Sequence, residues 1–182
     1  MRPRPSQPVP SAAATAHRSP SASGRPILIR WLMAIALGVL LACPAPALAA
    51  MDYAKQVLIG ADFHGADLRG VTFNLTNLRD ADLHDADLRE ASLFGAKLQD
   101  ANLSGADLRG ATLDSAVLQG TDLRNARLDD AFAFNTRFLD VQIEGADFSG
   151  VPLRGDALKR LCAVAAGTNP VSGLETRDTL GC

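Results

Sequence analysis

The sequence predicts an all-β solenoid, in which the chain is wound into stacked coils. Residues 61–155 divide into nineteen consecutive five-residue units without an insertion or deletion. The middle residue of the unit, here called the centre, is Leu in thirteen units, and the residue two places before it is Ala in thirteen units. A period of five fits neither a straight helix nor a plain strand, so the chain must turn once in every unit.

The centres are predicted to fill the interior. If each unit holds a short extended piece, its centre and the residue two places earlier point to the same side, and their neighbours point outward. Most centres that are not Leu are Phe or Ile, and Ala133 alone is small. The leucines predicted to form the repeat core are Leu68, Leu83, Leu88, Leu103, Leu108, Leu123 and Leu128.

The residue two places after each centre is predicted to lie at a corner. Gly, Asn and Asp recur there, as at Gly65, Gly105, Asn125, Asp130 and Asn135. Glycine accepts left-handed backbone without steric cost, and Asn and Asp tolerate it.

This A-x-L-x-x pattern resembles the pentapeptide-repeat family, and the resemblance covers residues 61–155. It implies a right-handed quadrilateral β-helix with four units in each coil. Residues twenty apart in the sequence are then vertical neighbours. Residues 50–60 form the approach to the repeat and are expected to begin the first coil, because Leu58 is already in register.

Residues 1–49 are predicted to be a signal or targeting peptide. No acidic residue precedes Asp52, an apolar run extends from Trp31 to Ala42, and the small residues at 47–49 favour cleavage before Ala50. A retained membrane anchor over 27–42 and lipidation at Cys43 are the alternatives.

Charge limits the partners of the processed chain. Cleavage before Ala50 leaves thirteen basic and twenty acidic residues, a net charge of −7. This balance argues against binding nucleic acid through phosphate neutralisation. We expect no cofactor, no contact with the membrane after signal removal, and one or more protein partners of unknown identity.

Stacking at twenty residues predicts one charged face. Its paired columns are Asp67, Asp87 and Asp107 on one side of a leucine row and Arg69, Arg89 and Arg109 on the other. We interpret them as solvated ion pairs, which contribute little stability each.

A second face carries His64 above His84, with Asp82 nearby. Two imidazoles beside a carboxylate are candidate metal ligands. The alternative is an ordinary polar surface, because two histidines without a third spaced ligand are a weak signature.

A third face is the candidate contact surface. It combines Phe94, Phe132 and Phe134 with Leu139 on the adjoining face. Because Phe132 and Phe134 flank the small centre Ala133, we expect one ring to turn inward and fill the space and the other to stay exposed. Exposed apolar patches mark interaction sites.

Residues 156–182 are predicted to cap the end of the solenoid. Asp156 is the expected N-cap of a helix that ends at Gly167, and a second short helix is expected over 176–180. Cys162 and Cys182 form an even pair in an oxidising compartment, where a disulfide or two free thiols are the alternatives.

The C-terminal segment from Leu161 through the run Gly-Thr-Asn-Pro-Val at 167–171 to Cys182 resembles that of pentapeptide-repeat proteins of the thylakoid lumen. The resemblance implies a lumenal location and a bond between Cys162 and Cys182.

No catalytic motif is recognisable in the sequence. The first hypothesis is therefore a non-catalytic interaction or scaffold module of the thylakoid lumen or periplasm. The second is an acidic DNA mimic that binds gyrase, as some family members do. The third is a metal- or redox-linked lumenal sensor that uses His64, His84 or the two cysteines.

Overall fold

The computed structural model describes residues 51–182. The predictions for the leader, the alternative anchor and Cys43 lie outside these described residues.

The predicted stacking of residues twenty apart is present along the repeat. Parallel bridges join such pairs from Asp52 and Thr72 to Arg127 and Asp147. The amide of Leu68 donates to the carbonyl of Asp87 at 2.8 Å, which places Leu68 directly beside the coil that contains Leu88. Four units therefore complete one coil.

The coils have four sides, which are named by their centres. The aromatic side contains Tyr53, Phe73, Leu93, Leu113 and Ala133. The strand side contains Leu58, Leu78, Leu98, Leu118 and Phe138. The histidine side contains Phe63, Leu83, Leu103, Leu123 and Ile143. The ion-pair side contains Leu68, Leu88, Leu108, Leu128 and Phe148.

The first coil begins earlier than the predicted repeat. Asp52 already pairs with Thr72, and the ring of Tyr53 stacks on Phe73 with centroids 5.2 Å apart. Residues 51–60 are therefore part of the first coil.

Two elements on the strand side are long enough to be strands. These are β1 (Val117–Gln119) and β2 (Arg137–Leu139), which pair in parallel with Val117 opposite Arg137. Elsewhere a side contributes isolated bridges, because corners leave only a few extended residues between them.

The interior is built from the centres and the small residues that precede them. All seven predicted core leucines are buried. Three threonines replace the small residue and remain satisfied: Thr121 Oγ1 donates to the carbonyl of Leu98 at 2.7 Å, Thr136 to Leu113 at 2.7 Å, and Thr76 to Tyr53 at 2.6 Å. Each hydroxyl thus bonds across to the previous coil.

Aromatic centres lie at both ends of the solenoid. Phe63 packs edge-on against Phe73 at 5.7 Å near one end, and Phe138 packs edge-on against Phe148 at 6.2 Å near the other. Between these ends the centres are leucines, from Leu78 to Leu128.

The corners adopt left-handed backbone. Positive φ occurs at every corner from Lys55 to Gly150 except Asn135. The amide of Ala66 donates to the carbonyl of Phe63 at 3.0 Å, and this bond with positive φ at the third residue is typical of a type II turn.

Corner residues also interlock between coils. A Cβ built on Gly105 would lie 2.1 Å from Asp85 Oδ1, and one on Gly150 would lie 2.3 Å from Asp130 Oδ1. The same relation joins Asp100 to Gly120 and Asn125 to Gly145. A carboxylate or amide in one coil therefore occupies the space that a glycine leaves open in the next.

Two helices follow the last coil. The first, α1 (Gly155–Val164), has Arg154 as its N-cap and ends three residues before the predicted Gly167. The expected N-cap Asp156 is therefore wrong: it lies in the first turn, where its carboxylate pairs with Arg160 at 2.7 Å. The second, α2 (Thr176–Leu180), has the predicted position.

Neither helix in residues 51–182 has the length and apolar character needed to cross a membrane.

Candidate interaction surface

The ion-pair side carries a ladder of bidentate pairs. Arg89 donates from Nε to Asp87 Oδ1 at 2.8 Å and from a terminal nitrogen to Oδ2 at 2.5 Å. The pairs Arg69 with Asp67 and Arg109 with Asp107 repeat this geometry. Contacts also link the coils, since Arg89 Nε lies 3.7 Å from Asp107 Oδ2.

The ladder changes polarity in the next coil. Arg127 lies above Asp107, and Asp129 lies above Arg109. A terminal nitrogen of Arg127 lies 3.0 Å from Asp129 Oδ1. Opposite charges are therefore vertical neighbours in both columns at this position, and their attraction stabilises the stacking. The charges of the ion-pair side thus neutralise one another.

These contacts depress carboxyl pKa values. The hydrogen bond from Arg69 lowers the pKa of Asp67 to about 2. The hydrogen bond from Arg89 likewise lowers the pKa of Asp87. Burial acts to raise the pKa of Asp107, but bonds from Arg109 outweigh it and the net shift is downward.

The histidine side brings His64 and His84 together. Their rings stack with centroids 5.1 Å apart. His84 Nδ1 lies 2.7 Å from the carbonyl of Ser104, so this nitrogen carries a proton and donates, and Nε2 lies 3.2 Å from Asp85 Oδ2.

The third residue of the candidate metal set is used differently. Asp82 Oδ1 accepts from the backbone amide of His84 at 3.0 Å and from Asn102 Nδ2 at 3.2 Å. Within residues 51–182, no group of three or more His, Cys, Asp or Glu side chains is placed to hold a metal ion.

The apolar candidate residues divide into two places. Phe132 and Phe134 lie together on the last coil of the aromatic side, with the half-buried Leu139 beyond the next corner. Phe94 lies two coils away, and Asp114 separates it from Phe134 in the same column. Its apolar neighbour is the exposed corner residue Leu75.

The expectation that one ring turns inward beside Ala133 is wrong. Phe132 is 60% exposed and Phe134 is 54% exposed. Both flank a buried centre, and neither can enter without moving Ala133 outward, because successive side chains of an extended segment point to opposite faces. Leu153, twenty residues after Ala133, packs against the core instead.

The cap closes the last coil with hydrogen bonds. The amide of Gly145 donates to the carbonyl of Ala166 at 2.8 Å, and the amide of Phe148 donates to Thr179 Oγ1 at 3.1 Å. These amides would otherwise donate to a further coil. Leu161 of α1 and Leu180 of α2 are buried against the same core.

Asn169 joins the tail to the coils. It is fully buried, and its Nδ2 donates to the carbonyl of Gly145 at 2.8 Å, with longer contacts to the carbonyls of Asn125 at 3.2 Å and Ala126 at 3.3 Å. Its Oδ1 accepts from the amides of Val171 at 2.9 Å and Ser172 at 3.0 Å. Sequence reasoning treated this residue as part of a turn and of the C-terminal run that resembles lumenal proteins, without assigning it a structural role.

The predicted cysteine pair is bonded in the structure. Cys162 in α1 and Cys182 at the C-terminus form a disulfide with Cα atoms 5.7 Å apart. The bond connects α1 to the segment that follows α2, so the cap is a closed loop.

A cavity of about 190 Å³ lies between the last coil and α1. Arg137, Arg154 and Arg160 line it, together with Leu139 and Asp156. Sequence reasoning did not identify this cluster. A second, more open cavity of about 590 Å³ lies between the histidine side and the tail, where His84, Arg124 and Glu144 face Thr168.

Comparisons with known proteins agree with this architecture. The family model for pentapeptide repeats matches eight copies over residues 57–93 and 91–130. A crystal structure of a pentapeptide repeat protein from the thylakoid lumen of Arabidopsis thaliana is 45% identical, with a TM-score of 0.69, and the match covers 71% of this chain and 90% of that one.

Two cyanobacterial pentapeptide repeat proteins are also similar. One from Cyanothece 51142 is 29% identical over 52% of this chain and 61% of its own, with a TM-score of 0.45. One from Nostoc PCC 7120 is 32% identical over 57% of this chain and 84% of its own, with a TM-score of 0.30. No curated protein sequence matches the chain.

The repeat pattern, the stacking at twenty residues and the identity shared with a lumenal relative lead to one conclusion. The chain belongs to the pentapeptide repeat family, whose fold is a right-handed β-helix.

Proposed function

We propose that the processed chain is a non-catalytic protein-interaction module of the thylakoid lumen. The observation that carries this proposal is the pair of exposed rings, Phe132 and Phe134, which lie side by side on the last coil. Burying two such rings against a partner contributes about 3 to 6 kcal/mol before the costs of association.

Support for the location comes from the relative and from chemistry. The Arabidopsis thaliana protein, 45% identical, is a thylakoid-lumen protein. The predicted leader would direct export, and a disulfide between Cys162 and Cys182 suits an oxidising compartment. A periplasmic location is the alternative.

The other two predicted functions have less support. A DNA mimic presents acidic charge, whereas the ladder pairs each carboxylate with an arginine, as in Asp87 and Arg89. For a metal-linked sensor, the described residues bring His64 and His84 together without Asp82 as a third ligand.

Location is tested first, by fractionating the source cells and sequencing the N-terminus of the protein. We expect a chain that begins near Ala50 in the lumenal fraction. Unprocessed protein in the cytoplasm, together with inhibition of gyrase supercoiling, would favour DNA mimicry instead.

The contact surface is tested by site-specific photo-crosslinking in lumen extract. A photoreactive phenylalanine analogue replaces Phe134, and the control carries it at Arg79, an exposed position on the strand side. We expect a discrete adduct from position 134 alone. The same adducts from both positions, or none from either, would count against an interaction surface here.

A further inference from the structure

We propose that the arginine-lined cavity beside Phe134 docks an acidic segment of a partner protein. This inference rests on the proposed function and names the chemistry of its partner. The segment would place a carboxylate in the cavity and an apolar side chain on the exposed rings.

The cavity carries an excess of positive charge. Arg137, Arg154 and Arg160 line a space of about 190 Å³ with only one acidic side chain, Asp156. The processed chain as a whole has thirteen basic and twenty acidic residues. A cationic site on an acidic protein is therefore a local feature, and it complements a negatively charged ligand.

The three arginines of the cavity are paired unequally. Asp156 lies between two of the arginines, with Oδ2 at 2.7 Å from Arg160 and Oδ1 at 3.7 Å from Arg154. Arg137 forms no ion pair with any carboxylate of residues 51–182. Asp156 thus shows that a carboxylate can bind between the arginines of the cavity. Arg137 remains available for a second carboxylate.

The cavity adjoins the segment that carries the two apolar rings. Leu139 and Asn135 line the cavity, and Asn135 directly follows Phe134 in the chain. The backbone amide of Asn135 donates to Asp114 Oδ1 at 2.8 Å, which holds this corner to the coil below. The rings and the arginines therefore belong to one ordered surface.

A protein segment fits this surface better than an anionic membrane does. Phe132 and Phe134 are confined to the aromatic side of the last coil, and the neighbouring ion-pair side is neutralised by its own pairs. A membrane surface would approach the whole acidic chain and be repelled by it, whereas a single extended segment needs only the cavity and the two rings.

The test uses the processed chain, residues 50–182, and a fluorescein-labelled peptide of ten residues that contains four Glu and two Leu. A matched peptide has Gln in place of Glu. We expect fluorescence anisotropy to show binding of the Glu peptide that weakens at high salt, and binding of the Gln peptide at least about tenfold weaker.

Two charge-matched pairs of variants assign the binding to the cavity. Arg137→Gln should weaken binding of the Glu peptide about tenfold. Arg79→Gln changes the net charge equally at an exposed site on the strand side, and it should leave that binding unchanged. Asp156→Asn should strengthen binding several-fold, because it frees Arg154 and Arg160, and Asp62→Asn on the histidine side should not. Thermal melts check that each variant is folded.

Equal binding of the Glu and Gln peptides, or equal loss in Arg137→Gln and Arg79→Gln, would overturn the proposal. Binding to phosphatidylglycerol vesicles without binding to the Glu peptide would overturn it in favour of a lipid surface. If photo-crosslinking at Phe134 captures a partner and the Glu peptide does not bind, this inference fails while the proposed interaction function stands.

Discussion

At the scale of single residues, the corners show a constraint between coils that a list of turn residues does not reveal. Asp85 projects into the space where a side chain on Gly105 would begin, and Asp130 does the same beneath Gly150. The identity of one corner residue therefore restricts the residue twenty positions later. In these two columns, glycine alternates with a polar residue when the sequence is written in rows of twenty.

Gly105→Ala should destabilise the protein more than Gly65→Ala. Both residues have left-handed backbone, with φ of +69° and +62°, so each change costs about 1 to 2 kcal/mol in strain. Only Gly105 has a neighbour in the way, and turning the exposed Asp85 carboxylate aside should add up to about 1 kcal/mol. Denaturant unfolding of both variants measures the difference.

The double variant Asp85→Gly, Gly105→Ala is the control for this clash. The free-energy difference between the double variant and Asp85→Gly should equal the cost of Gly65→Ala, because the obstructing carboxylate is gone. An unchanged cost in the double variant would show that the interlock is not the cause.

Sequence reasoning located the inward and outward positions from the period alone, but it misjudged Phe132 and Phe134. The small volume of Ala133 suggested that a neighbouring ring would fill the space. The pleat of the extended segment decides otherwise, since its alternation fixes which side chains enter the core.

At the scale of elements, the cap depends on contacts that the repeat pattern cannot predict. The helices were expected from their spacing of apolar residues, and α2 lies where it was expected. Asn169 was missed, because the three carbonyls to which its amide donates lie 24, 43 and 44 residues away in the sequence. No local signal marks such a contact.

Asn169→Asp should cost at least about 2 kcal/mol, because a carboxylate would face three backbone carbonyls without a proton to donate. Asn77→Asp is the matched control, since Asn77 accepts a bond from the amide of Arg79 and its Nδ2 donates to no group of residues 51–182. Unfolding by urea measures both. Equal losses for the two variants would contradict the role assigned to Asn169.

Cys182→Ser should loosen the cap and leave the coils intact. The disulfide closes a loop between residues separated by 20 positions, which implies about 3 kcal/mol of stabilisation in the chain-entropy model. In hydrogen exchange, the amides of Gly145 and Phe148 should lose protection because their acceptors belong to the cap.

The amides of Leu83 and Leu88, which donate to the following coil, are the internal reference for that experiment. They should stay protected in Cys182→Ser. Equal loss of protection at all four amides would mean that the cap and the coils unfold as one unit.

At the scale of the whole molecule, the carboxylates of the ladder and Asp147 predict a stability that is insensitive to mild acid. The pKa of Asp67 is lowered to about 2, and those of Asp87, Asp107 and Asp147 are also lowered. Burial acts to raise the pKa of Asp147, and the bonds from Ser149 and the charge of Arg127 outweigh it.

Depressed carboxyl pKa values stabilise the folded state above the unfolded pKa, near 3.8, and this stability is lost as the pH falls through the folded values. The ladder should therefore contribute no change in the melting temperature between about pH 7 and pH 5, and a decline below about pH 4. Melting followed by circular dichroism across this range measures it, with Asp147→Asn expected to flatten the decline. A steep loss between pH 7 and pH 5 would contradict this assignment.

The architecture was predictable because the five-residue register continues without a break through the whole repeat. With four units in each coil, residues twenty apart then form vertical columns. The candidate site was only partly predictable. Phe132 and Phe134 are visible as exceptions to the pattern, whereas Arg137, Arg154 and Arg160 meet because α1 packs beside β2, and no period relates their positions.

The four-unit coil also determines how the protein can change in length. Removing twenty residues, such as 81–100, takes out one complete circuit and leaves every later side chain pointing in its original direction. Removing five residues instead rotates everything after the deletion by a quarter turn about the long axis. The rings and arginines at the far end would then face a different direction relative to the histidines, so genetic duplication or loss in whole circuits lengthens or shortens the molecule while its azimuthal layout is retained.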